Sequence, residues 1–132
     1  PRRPSLAAMA TGIRDVKAWQ ESVALAGDVT RAIHACSRRE TRQLTDRVLH
    51  AALDVASRVA EGCEHSAAPE RAARYRQART ALVVLDTLLA VARHAGLLPA
   101  TALAPLTARS TTVARQLGAY LALAERCEER SA

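Results

Sequence analysis

A chain of 132 residues has the length of one domain and can bury roughly two thirds of the surface its unfolded form exposes, so no disulfide or metal staple is required. Hydrophobic residues make up 49% but aromatics only 2% (Trp19, Tyr75 and Tyr120), which excludes a core built on rings and leaves Leu, Val and Ala to pack helices closely. The net charge of +6 is arginine charge, since Lys17 is the only lysine; it suits polyanions such as RNA, DNA or anionic lipid heads, and equally a merely soluble arginine-rich surface.

The chain is expected to begin with a flexible arm over residues 1–12, which holds two prolines and a glycine without helical periodicity, and to continue as one bundle domain over 13–132. Asp15 is the expected N-cap of a first helix whose apolar positions Val16, Trp19, Val23, Ala26 and Ile33 recur at three- and four-residue steps. After the polar run Ser37, Arg38, Arg39, Glu40, a second helix is predicted with Thr45 as cap, Val48, Ala52, Val55 and Val59 inward, and Gly62 as its stop. Pro69 opens a third helix through Tyr75, Ala78, Leu82, Leu85, Leu89 and Ala92, closed by Gly96. A fourth follows the Leu97-Leu98-Pro99 turn with Leu103, Leu106, Val113, Leu117, Tyr120 and Ala124. Short connections force neighbours to run in opposite directions, so the expected fold is all-α: an antiparallel up-down-up-down four-helix bundle.

The third helix carries a second apolar stripe, Ala81, Val84, Leu88, Val91 and Ala95, beside its core-facing one. One core does not need both, and the surplus predicts self-association, the alternative being a helix buried unusually deeply in the monomer. Basic residues concentrate at Arg38, Arg39 and Arg42, at Arg47, and in Arg71, Arg74, Arg76 and Arg79; all are candidates for gripping phosphates. The four on the third helix span more than half its circumference and cannot all face one groove. With so few aromatics to stack on bases, any RNA contact is expected to be electrostatic and led by shape.

Chemistry is not expected. No Glu-x-x-His pair occurs, which a di-iron bundle needs, and no serine or cysteine sits in a nucleophile elbow. His34, Cys36 and His94 at one end, and Cys63, His65 and Cys127 at the other, lack a metal-binding spacing. The residues give no sign of a catalytic site, metal, cofactor or small-molecule substrate. The odd cysteine number and the lack of a leader or spanning segment predict reduced thiols in the cytoplasm and no membrane partner.

Three segments resemble a known family. Asp15-Val16-Lys17-Ala18-Trp19-Gln20 resembles the opening D-L-x-x-W-Q of the bacterial four-helix-bundle proteins encoded by intervening sequences of 23S rRNA genes. Glu40 to Gly62 resembles that family's second helix, ending in Ala60-Glu61-Gly62, and Ala78 to Leu89 resembles its A-x-x-S-x-x-E-L-x-T-x-L, with Leu85 and Thr87 matching. The likeness runs from Ile13 to about Leu123. It implies a four-helix bundle, assembly into a homo-oligomeric ring, commonly a pentamer, a cytosolic setting, and RNA or ribosome association with no established chemistry.

The chain departs from that pattern at Arg47, Leu49, His50, Asp54 and Arg58 in the second helix and at Ala81 and Val84 in the third, where relatives carry polar residues. Any RNA-related role of those positions is thereby altered, and Val84 widens the apolar stripe. In architecture and charge the chain is also similar to the accessory variability protein of diversity-generating retroelements, a basic, pentameric, nucleic-acid-binding ring. A scaffold oligomer that binds another protein is the further alternative.

Overall fold

The computed structural model describes residues 12–14 and 16–131, and helices account for nearly all of them. Four long helices follow one another: α1 (Lys17–Cys36), α2 (Arg42–Glu64), α3 (Ala68–His94) and α4 (Ala100–Ser131), with a 3-10 turn, Arg39–Thr41, before α2. Among the described residues there is no strand, and no helix is long and apolar enough to cross a membrane. α1 packs on α2 and α4, and α3 packs on the same two, so the four close a cycle around one core.

That core follows the predicted spacing on three helices. Val48, Ala52, Val55 and Val59 on α2, Tyr75, Ala78, Leu82, Leu85, Leu89 and Ala92 on α3, and Leu106, Val113, Leu117 and Ala124 on α4 are all buried. On α1 the inward face is Ala18, Ser22, Leu25, Ala26, Val29 and Ile33, while Val23 is 43% exposed. Ser22 is tolerated in the core because its hydroxyl donates to the Trp19 carbonyl at 2.9 Å, leaving no bare donor.

The helix ends correct several expectations. Asp15 and residues 1–11 lie outside the described residues, so the expected cap and most of the arm are not placed; Val16 stands in the N-cap position of α1. α2 starts three residues before Thr45, which is 2% exposed inside the helix with its hydroxyl donating to Arg42 O at 3.0 Å. A threonine suits a cap, but one that bonds back to the preceding turn also suits a buried helical position.

Gly62 does not end α2, which continues to Glu64. It is buried where α2 meets α3: a Cβ there would stand 2.5 Å from Tyr75 Cε1 and 2.7 Å from Cδ1. Here glycine serves close packing against the ring, which itself lies 6.3 Å from that of Tyr120.

At the other end of α3 the expected stop is met. Gly96 has φ of 80°, Leu97 N donates to Ala92 O at 3.0 Å and Gly96 N to Arg93 O at 3.1 Å, which together form a Schellman closure. Leu98 next to it is fully buried, pinning the turn to the core.

Candidate nucleic-acid and assembly surfaces

The eight candidate arginines divide by what surrounds them. On α3, Arg76 Nη2 lies 3.3 Å from Glu125 and 3.4 Å from Glu128 on α4, Arg74 Nε is 3.7 Å from Glu61 on α2, and Arg71 donates to the Ser66 carbonyl. These guanidiniums act as inter-element ties. Arg74 and Arg76 are answered by carboxylates and Arg71 is held by a carbonyl, so the first half of α3 is a weaker polyanion surface than its composition suggests.

Arg38, Arg39, Arg42, Arg47 and Arg79 have no carboxylate within ion-pair distance among the described residues, and all five are exposed. Arg38, Arg39 and Arg42 together with Ser37 line one depression of about 510 Å³ at the α1–α2 corner. The backbone that carries them is fixed by Thr41: Arg38 N donates to Thr41 Oγ1 at 3.1 Å, and Thr41 N and Oγ1 return bonds to Arg38 O at 3.1 and 3.0 Å. The structure thus brings three candidates to one place and leaves Arg47 and Arg79 apart from it, neither lining that depression.

The second apolar stripe is narrower than expected. Ala81 is only 6% exposed and belongs to the chain's own core, because α2 packs against this side of α3. Val84 and Val91 are 45% and 47% exposed, Leu88 is half-buried at the core's edge, and Val83, outside the expected stripe, is 61% exposed. Beside them, between α2 and α3, run two adjoining depressions of about 350 and 370 Å³ that share Ala51, Asp54 and Val84.

Two features escaped the sequence reading. Arg109 on α4 reaches α1, with Nε 2.7 Å from Asp28 and Nη1 2.9 Å from Glu21. These partners lie 81 and 88 residues away, so no local spacing announces them. Ser110, buried in α4, donates to Asp86 on α3 at 2.6 Å, beside a depression of about 370 Å³.

Cys36, Cys63 and Cys127 are all half-buried. Burial pushes the Cys63 thiol up, against a smaller opposing effect of the Tyr75 hydroxyl, which donates to its sulfur at 3.8 Å. Burial likewise pushes the Tyr75 hydroxyl well up, so both stay protonated at neutral pH, the wrong state for a nucleophile or a metal ligand. Among the described residues no group of three or more His, Cys, Asp or Glu side chains is arranged to hold a metal ion.

A single cycle of long helices, an alanine- and valine-rich core and a surface of partly unanswered arginines define an all-helical, basic helical-bundle class. Residues 14–119 match the family described as 23S rRNA-intervening sequence protein, and the chain belongs to that family. No curated protein matches the chain.

Proposed function

We propose that the chain is an antiparallel, up-down-up-down four-helix bundle that assembles into a homo-oligomeric ring in the cytoplasm and, without catalysis, binds structured RNA or a ribonucleoprotein. Supporting the helix directions, Arg76 near the start of α3 pairs with Glu125 and Glu128 near the end of α4, as oppositely directed neighbours would. Supporting assembly, Val84 and Val91 lie exposed one above the other, and Leu88 and Val84 line the adjoining α2–α3 groove. A second copy of this chain is the occupant that the resemblance to ring-forming bundle proteins favours.

The observation that carries the RNA reading is the set of exposed arginines, Arg38, Arg39, Arg42, Arg47 and Arg79, that no acidic group of the described chain answers. Such charges attract a polyphosphate backbone and release its counterions. A ring multiplies a weak patch by its subunit number. The test is affinity for a structured rRNA fragment across a salt series, with a size-matched acidic polymer as control. Preference for RNA together with a steep loss in salt supports the reading; equal binding to the polymer, or none at low salt, refutes it. In that event the exposed valines of α3 favour the second reading, a scaffold oligomer whose partner is another protein.

A further inference from the structure

We propose that the depression framed by Ser37, Arg38, Arg39 and Arg42 seats a single phosphate group, a phosphodiester of structured RNA, and is the chain's phosphate anchor. This assignment rests on the RNA reading and narrows it from a basic surface to one corner. Three observations converge there.

First, three guanidiniums and a hydroxyl line one concavity of about 510 Å³, and no acidic side chain shares its lining. Every lining residue is polar or cationic, which suits an oxyanion and not an apolar ligand. Guanidinium forks match phosphate oxygens bidentately, and a serine hydroxyl adds a neutral donor. Second, none of the three guanidiniums forms an ion pair among the described residues, not even with Glu40 in the same turn, so all three are open to an incoming anion. An anion removes their mutual repulsion on binding. Third, the turn is preorganised: the three hydrogen bonds between Thr41 and Arg38 hold the backbone carrying Arg38 and Arg39 before any ligand arrives, which lowers the ordering cost of binding.

The arginines of α3 are placed differently. Arg71, Arg74 and Arg76 form an equal number of charges in a similar stretch of chain, but each already holds an acidic or carbonyl partner. Two triple variants that remove the same formal charge therefore differ in outcome: Arg38→Gln/Arg39→Gln/Arg42→Gln, and Arg71→Gln/Arg74→Gln/Arg76→Gln as the charge-matched control. Circular dichroism first establishes that each is folded.

The first arm measures affinity for the rRNA fragment across salt. The corner variant is expected to lose about tenfold or more in affinity and about one unit of salt slope per subunit, the signature of one phosphate contact, while the control stays within about twofold of wild type. Equal losses in both variants, or an unchanged corner variant, overturn the seat and leave a diffuse basic surface.

The second arm titrates the wild-type protein with inorganic phosphate and reads the arginine Nε–H signals by NMR, against sodium chloride at equal ionic strength. Saturable shifts confined to Arg38, Arg39 and Arg42 support the seat; shifts no larger than with chloride, or equal at Arg71, Arg74 and Arg76, overturn it. If the wild-type protein binds no RNA and phosphate still seats at the corner, the RNA reading fails and the seat stands as a site for a free phosphate.

Discussion

Replacing Gly62 by alanine adds one methyl group to α2, a change that normally strengthens a helix by about 0.8–1 kcal/mol. Here the methyl would sit 2.5 Å from Tyr75 Cε1 and 2.7 Å from Cδ1, inside the distance at which something must move. The obstacle is a ring on a residue only 5% exposed, flanked by Tyr120 and hydrogen-bonded to Cys63, so it has little room to retreat. Overpacking a well-filled core costs about 1–3 kcal/mol, and subtracting the propensity gain from the middle of that range leaves a net loss of about 1 kcal/mol.

For a chain of this size that is a fall in Tm on the order of 5 °C, measured by thermal unfolding monitored at 222 nm. Gly118→Ala is the internal comparison: it lies inside α4 with nothing within 4 Å of the added methyl, so it should raise stability by up to about 1 kcal/mol. Replacing the ring as well, in Tyr75→Leu, should relieve the Gly62→Ala penalty and reveal a coupling of the two sites in a double-mutant cycle. A Gly62→Ala protein as stable as wild type, or a cycle with no coupling, would refute the account of Gly62 as a packing glycine.

Gly96→Ala meets no atom within 4 Å but must hold φ of 80°, so it should cost about 1–2 kcal/mol by backbone strain alone, read as a lower midpoint in urea with an unchanged slope. Arg109→Gln leaves Glu21 unpaired and Asp28 with only Arg31 on its own helix; a loss of about 1 kcal/mol is expected at low salt, shrinking in high salt, and a salt-independent loss would point to packing instead. Val84→Glu with Leu88→Glu should lower the native mass measured by light scattering without unfolding the chain; an unchanged mass with an intact fold removes this stripe as an interface.

Alkaline pH should destabilise the fold. Cys63 and Tyr75 ionise less readily folded than unfolded, so the unfolded chain releases protons first. Their contribution is complete below the ordinary thiol and phenol values and is lost as pH rises from those values toward the folded ones. Tm should fall from about pH 8.5 and more steeply above about 10, and Tyr75→Phe should remove the steeper part. A flat Tm over that range would show that neither group is buried as described.

Helix existence was legible because it is written locally. Val48, Ala52, Val55 and Val59, or Leu82, Leu85 and Leu89, keep their spacing whatever lies elsewhere in the chain, and all became core. Gly96 was legible for the same reason, since a glycine after a periodic run serves the left-handed closure it adopts. Residues with two good uses were not.

Thr45 suits a cap and a back-bonded helix interior, and Gly62 suits a stop and a close approach; for Gly62 the choice was made by Tyr75 on α3, which sequence spacing does not place. Ala81 and Val84 fall on one stripe by count, yet only the register of α2 against α3 decides that the alanine is covered and the valine is not. For the candidate site, the arginine-rich segments were legible as composition. Which arginines are already spoken for was not, because the ties from Arg76 to Glu125 and Glu128 span 49 and 52 residues.

The corner around Arg38, Arg39 and Arg42 also sets how the chain can vary. Exposed arginines that form no ion pair add little to the stability of the free fold, so neutralising any one of them costs the fold little while weakening the hold on phosphate. At Arg109, by contrast, the charge is stabilising, and its loss has no gain to set against it. Selection for robustness alone would erode the corner and keep the clamp. Arginines retained at 38, 39 and 42 in relatives would therefore record selection for a ligand, and their drift to neutral residues would mark a lineage that no longer uses one.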